Sequence, residues 1–322
     1  VSQPHLSVNR EAVKLLRKIL DNRESYGAAV KTKAGTTLID VGIKAKGGFE
    51  AGKIVTEICL GGLGEAKIFP KMYGDIAFPS IFVYTDHPAL ATLGSQFAGW
   101  QIKLGDYFAI GSGPARALAL KPKEIYEKIG YKDEAEEAVI VLETSEEPPE
   151  EVIAKFSEEC NVPMENLYLI LVPTASVAGS TQVSGRIVET GIHKLMKLGL
   201  DPNLIFHAWG YAPIASVHCK FAEAMGRTND AILYGGVASY TLSCEDDEWL
   251  RELVEKAPSR ASKSYGKPFM QIFKEAGYDF YKIDPNLFAP AVLIINNVKT
   301  GSVFQAGEIN VEVLRESLGV KL

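Results

Sequence analysis

The chain has 322 residues, 47% of them hydrophobic and 23% charged, with a formal net charge of −6. That length fits two domains sharing an interface, and the composition lies far from the polar, highly charged regime of disorder. The acidic balance excludes a protein that neutralises nucleic-acid phosphates along a basic stripe, and it suits a cationic ligand instead.

Ser7-Val8-Asn9 offers an N-cap, and Ala12, Val13, Leu15, Leu16, Ile19 and Leu20 follow at helical spacing, so the first element is a helix. From Ala28 to Ile68, β-rich runs at Thr37 to Ile43 and Lys53 to Leu60 are broken by Gly47-Gly48 and Gly61-Gly62-Leu63-Gly64, which predicts strands and turns. Ser80 to Thr85 reads as a strand. Gly111-Ser112-Gly113-Pro114 is a turn feeding a helix to Leu120, and Ala138 to Glu143 is an apolar strand ending on an acid.

The acidic, proline-rich Ser145 to Glu151 is the best linker candidate, so domains of 1–147 and 148–322 are expected, with segments free to cross over. Beyond it the patterns give an amphipathic helix through Cys160, a strand at Leu167 to Val172, a polar loop and a helix over Val183 to Leu198. A strand near Leu204 to Ala208, a helix around Val217 to Met225 and an apolar strand at Ala231 to Tyr234 come next. Helices over Asp246 to Lys256 and near Phe269 to Ala276 precede a last strand at Ala291 to Asn297. Strict strand–helix alternation is missing and tight glycine turns are present, so the fold class is α+β: two α/β-type domains with mixed sheets. Leu60-Gly61-Gly62 and Tyr234-Gly235-Gly236, each beside a β-rich stretch, leave duplication of one unit as an alternative.

Gly179 to Arg186 has the wrong spacing for a phosphate loop, and Gly61-Gly62-Leu63-Gly64 lacks the later glycine of a dinucleotide fingerprint. The turn Gly111 to Pro114 with Arg116 beyond it could seat a phosphate or carboxylate, or be a plain strand-to-helix turn. Gln182, Arg186, Glu189 and His193 share one face of the helix begun near Val183, opposite Ile187, Val188, Ile192, Leu195 and Met196. That polar face either lines a cleft or is a solvated surface, and the small polar loop Pro173 to Ser180 leading into it favours a functional role. Thr228-Asn229-Asp230 offers amide and carboxylate groups to a ligand edge, or is a helix-to-strand connection.

Cys59, Cys160, Cys219 and Cys244 form no C-x-x-C pair, and His87, His193, His207 and His218 have no metal-ligand spacing, so no metal is expected and a reduced compartment is. His207 and His218 read as structural. No apolar run approaches the ~18 residues that span a bilayer. Val1 to Arg10 has no charged-then-apolar signal pattern, so a cytoplasmic protein without membrane or nucleic-acid partners is expected.

Five blocks carry a closer likeness: Thr85 to Pro88, Leu93 to Trp100, Gly105 to Ala119, Pro173 to Lys194, and Met225 to Asp230. In this order, over roughly the whole chain, they resemble the archaeal methenyltetrahydromethanopterin cyclohydrolases. The resemblance implies reversible hydrolysis of the methenyl bridge of 5,10-methenyltetrahydromethanopterin to the 5-formyl compound, a step of one-carbon metabolism in methanogenesis. It also implies two domains side by side with the substrate cleft between them, a homotrimer, and no cofactor, the pterin being the substrate.

The family's catalytic arginine and glutamate correspond to Arg186 and Glu189 at matching spacing. Differences at Thr181 and Ala175 would bear on loop packing more than on chemistry. Substrate contacts are expected from Ser95, Gln96, Ser112, Ser180, Gln182, Thr228, Asn229 and Asp230, from Arg116 and the glycine turn, with Lys121, toward the anionic tail, and from Glu143 as a second acid near the cation. The methenyl carbon is an amidinium and already electrophilic, so a positioned water and one base suffice, Glu189 supplying the base and Arg186 orienting it. A tetrahydrofolate-type hydrolase or formyl-transferring enzyme, and a non-catalytic pterin-binding protein, are the alternatives.

Overall fold

The structure, a computed structural model, describes residues 6–321, with Tyr281 described in its backbone alone; Val1 to His5 of the amino-terminal stretch lie outside. Ser7 caps the first helix as its sequence predicts, its hydroxyl accepting the Arg10 amide at 3.1 Å. Helix α1 (Val8–Asp21) buries Ala12, Val13, Leu16 and Ile19 on one stripe. Strands β1 (Ala29–Lys33) and β2 (Thr36–Asp40) follow, then helix α2 (Phe49–Cys59).

Helix α2 overturns the strand expected at Lys53 to Leu60. Its buried Ala51, Ile54, Val55, Ile58 and Cys59 recur at helical spacing, and burial on so many sides admits the β-branched residues that suggested a strand. Gly61 and Gly62 stop the helix at φ 66 and 67°, their amides reaching back to Ile58 O and Glu57 O at 2.9 and 3.0 Å.

The chain continues through β3 (Gly64–Tyr73), β4 (Ile76–Thr85), a π-helix (Ala89–Gln96), β5 (Trp100–Leu104), β6 (Tyr107–Ser112), α3 (Arg116–Ala119) and α4 (Lys123–Ile129). Next come β7 (Ala138–Glu143), α5 (Glu150–Cys160), β8 (Leu167–Leu171), α6 (Val177–Ser184) and α7 (Ile187–Lys197). The remainder is β9 (Ile205–Pro213), α8 (Phe221–Gly235), β10 (Val237–Leu242), α9 (Asp247–Lys256), α10 (Phe269–Glu275), β11 (Val292–Asn297), β12 (Ser302–Gly307) and α11 (Val311–Ser317).

Two compact units result, the first from Val1–Glu65 and Ala89–Gln182, the second from Ala66–Pro88 and Val183–Leu322. This differs from a boundary at 147/148, because β7 and β8 flank that point and yet pair in parallel, Ala138 opposite Leu167 through Leu142 opposite Leu171. Ser145 to Pro149 is therefore a loop inside a strand–helix–strand crossover rather than a linker, and Glu150 and Glu151 open α5.

The first unit's sheet runs β1-β2-β8-β7-β6-β5, parallel at β2/β8 and β8/β7 and antiparallel elsewhere. Both faces are covered. Val139, Val141 and Ile170 pack with Leu16, Val55 and Ile58, while Ile140, Leu142 and Leu169 pack on the other side with Trp100, Ile153 and Phe156. Burial on two faces is why β7 reads as an unbroken apolar run.

The second sheet runs β12-β11-β10-β9-β4-β3, parallel at β10/β11 and antiparallel at β11/β12, β9/β10 and β4/β9. Two mixed six-stranded sheets with their helices make the α+β class of the sequence reading. The two sheets differ in pairing, and the double glycines differ too, Gly236 holding φ −79° where Gly61 and Gly62 are left-handed. The strand expected at Ala231 to Tyr234 is the last turn of α8, whose Ala231, Leu233 and Tyr234 face a core with Phe269, Leu287 and Leu314. Among the described residues no helix is long and apolar enough to cross a membrane.

Candidate active site

The helix expected over Val183 to Leu198 is two helices. The first, α6, ends at Ser184, whose hydroxyl donates to Pro213 O at 2.9 Å; Gly185 turns the chain, and Arg186 becomes the N-cap of α7 at φ −82°, ψ 5°. Gln182 thus belongs to α6, and the polar face drawn through Gln182, Arg186, Glu189 and His193 is divided at the break. Ile187, Val188, Ile192 and Leu195 are buried on the other side, as the spacing requires.

Arg186 and Glu189 stand at the N-cap and in the first turn of α7, 8% and 6% exposed. A carboxylate there lies beside the partial positive charge of the helix start. His193 follows one turn later. Burial, with Lys197 adding repulsion, holds its pKa down to about 4, so its imidazole is neutral near pH 7.

Tyr240 of β10 supports this turn from below and was not singled out by the sequence. It is fully buried, its phenol donates to Val188 O at 2.7 Å, and a Cβ on Gly191 would lie 2.0 Å from that phenol oxygen. Burial raises the Tyr240 pKa well above that of a free phenol and the neighbouring Glu189 charge adds to it, so the group stays a donor. A glycine inside an amphipathic helix is the one available signal of such a close approach. Lys194 faces elsewhere, donating to Asn286 Oδ1 at 2.7 Å.

Within the first unit, Ser95, Ser112 and Arg116 converge near Cys59. Ser95 Oγ donates to Cys59 O at 2.6 Å, and Ser112 Oγ lies 3.7 Å from Cys59 Sγ. Arg116 departs from the anion-contact reading: it has no exposed surface, and its guanidinium donates to Lys121 O, Leu93 O and Ser95 O at 2.7, 3.2 and 3.0 Å beside the rings of Phe97 and Tyr126. Such carbonyl contacts tie the π-helix to the chain after β6. Lys121 pairs with Glu159 at 3.1 Å. Gln96 is buried at the end of the π-helix, and Ser180 and Gln182 are buried on α6.

Glu143 ends β7 half-buried and accepts the hydroxyl of Thr174. Thr228, Asn229 and Asp230 lie inside α8 rather than on a connection, which corrects their expected setting. Thr228 Oγ1 and Asn229 Nδ2 both donate to Met225 O, at 3.0 and 2.9 Å, and Asp230 is wholly buried against α10 and α11. These bonds are internal to the second unit and serve its core. A separate pocket of about 250 Å³ in the first unit is lined by Val30, Leu38, Leu171, Asp40, Lys44 and the Lys31–Glu147 ion pair, and no expected site residue lines it. Among the described residues no three His, Cys, Asp or Glu side chains converge as a metal site.

Fold and site together define an α+β protein of two mixed-sheet units with an arginine and a buried glutamate at the start of one helix. Its relatives specify more. A family model described as Cyclohydrolase (MCH) matches residues 7–318. The methenyltetrahydromethanopterin cyclohydrolase of Methanocaldococcus jannaschii is 48% identical over 318 residues, covering 98% of both chains. That of Methanothermobacter marburgensis is 48% identical over 321 residues, 98% of this chain and 100% of its own. The enzyme of the same name from Methanococcoides burtonii is 45% identical over 317 residues, 98% and 99% of the two chains. The chain belongs to the cyclohydrolase (MCH) family.

Proposed function

We propose that this chain hydrolyses the methenyl bridge of 5,10-methenyltetrahydromethanopterin to 5-formyltetrahydromethanopterin, with Glu189 as the base. The observation that carries the mechanism is the buried Glu189 carboxylate on the first turn of α7, three residues after Arg186, in a chain aligned with cyclohydrolases almost end to end.

The bridge carbon is bonded to two nitrogens sharing one positive charge. Glu189 accepts a proton as the water oxygen bonds to that carbon, which gives a neutral hydroxyl adduct. Return of a proton to the departing nitrogen breaks one carbon–nitrogen bond, the hydroxyl proton leaves, and the carbon becomes a formyl group. One water is consumed and one proton released, which balances the lost charge. Arg186 favours the ionised carboxylate before attack. The reading includes a homotrimer in the cytoplasm, acting without a metal or organic cofactor.

Opening the methenyl cation abolishes its near-ultraviolet absorption, so purified protein should bleach methenyltetrahydromethanopterin faster than methenyltetrahydrofolate. Glu189→Gln should keep substrate binding and lower turnover by about 10²- to 10⁴-fold. Near-normal turnover in that variant removes Glu189 from the reaction; binding without bleaching by the wild type makes the protein a carrier.

A further inference from the structure

Ile187 and Val188 are the two residues between Arg186, the N-cap of α7, and Glu189 in its first turn, and both are pinned within the second unit. Ile187 is seated against two glycines: a Cβ on Gly210 of β9 would lie 3.1 Å from Ile187 Cγ2, and one on Gly236, just before β10, would lie 2.4 Å from its Cδ1. The Val188 carbonyl accepts the phenol of Tyr240 at 2.7 Å, and Gly191 makes room for that contact, since a Cβ there would meet the phenol oxygen at 2.0 Å. Tyr240 stands on an interior strand, opposite Ala208 of β9 and Ile295 of β11, so its own backbone is fixed on both sides. A buried phenol needs an acceptor, and any well-placed carbonyl would serve. The one it takes belongs to the residue before Glu189.

We infer that Tyr240 is a positioning residue for the reaction: by binding the Val188 carbonyl it fixes the turn from which Glu189 reaches the attacking water. This rests on the reading of Glu189 as the base. A general base must stand within about 3 Å of the atom whose proton it takes, and a displacement of about 1 Å at a reacting group costs on the order of 10²-fold in rate. Glu189 is 6% exposed and packed among its neighbours, so its side chain has little freedom to make up for a turn that drifts. The phenol acts through the backbone of α7. Its loss should therefore be felt in turnover and not in binding.

Tyr240→Phe keeps the ring and removes the hydroxyl alone. Its kcat, read from bleaching of the methenyl substrate well below the melting temperature, should fall by about 10- to 100-fold with KM within about threefold of wild type. In the Glu189→Gln background the same substitution should change the residual turnover by less than about threefold, because a group that acts through the base has nothing left to position. Gly191→Ala, which keeps the phenol but pushes it off Val188 O, should repeat both results and takes the place of Tyr240→Phe if that variant does not fold. Wild-type kcat in a folded Tyr240→Phe enzyme overturns the inference. So does an equal loss in both backgrounds, which would mark a general loosening of the core. Near-normal turnover by Glu189→Gln alone is the separate result that removes the base reading, and a residue positioned for that base goes with it.

Discussion

Replacing Asp230 by asparagine separates the cost of a buried charge from the value of the hydrogen bonds around it. Asp230 lies in α8 with no exposed surface, accepting the amide of Phe269, the first residue of α10, at 2.9 and 3.0 Å and the hydroxyl of Ser317 in α11. Burial pushes its pKa up to about 7 from an ordinary 3.8; the Ser317 and Phe269 bonds pull it down in part, and Glu316 adds to the rise. A carboxyl whose folded pKa exceeds its unfolded value contributes stability that is complete below the unfolded pKa and is lost as pH rises through the folded one.

A rise of about three units corresponds to about 4 kcal/mol between acid and mildly alkaline pH. Asparagine cannot ionise, and it keeps one acceptor for the Phe269 amide while losing the second, at about 1 kcal/mol. Urea unfolding should therefore find Asp230→Asn less stable than wild type by about 1 kcal/mol near pH 4 and more stable by up to about 3 kcal/mol near pH 8. A difference between the two proteins that stays constant across that range refutes the buried ionisation.

Two further substitutions probe the supports of the site. Gly191→Ala places a methyl 2.0 Å from the Tyr240 phenol oxygen and must displace its 2.7 Å bond to Val188 O. It should cost about 1–3 kcal/mol by thermal melting and lower kcat by shifting the first turn of α7, and an unchanged melting temperature would show that Tyr240 is not wedged there. Arg116→Met strips the Leu93, Ser95 and Lys121 carbonyls of their donor and should cost about 3–5 kcal/mol while leaving KM intact. A raised KM at unchanged stability would restore Arg116 as an anion contact.

What the sequence reveals follows from how local each cause is. Helix α1 is legible because its cap and its buried stripe both lie within fourteen residues, and β7 because burial on both faces leaves no polar position before Glu143. Helix α2 is misread because Ile54, Val55, Thr56 and Ile58 are β-branched, and their preference for strands is outweighed by contacts with α1 and the sheet that no local window contains. The break at Gly185 carries no signal beyond one glycine. Arg116 beside a glycine turn looks the same whether its guanidinium meets an anion or three carbonyls, and only the path of the π-helix decides between them. Arg186 and Glu189 stand out through the block around them, whereas Tyr240 meets Gly191 across a separation invisible to any spacing rule.

The interleaved path of the chain sets a timetable for its birth. Strand β4 must wait for β9, since Ser80 lies opposite Pro213, 133 residues later. At ribosomal rates of roughly 5–20 residues per second, the hairpin of β3 and β4 spends about 7 to 27 s with one edge unmatched while the rest of the first unit is synthesised. Neither unit can be released by a single cut of the gene, and a truncated message ending at Gln182 would leave that hairpin without the sheet it was made for.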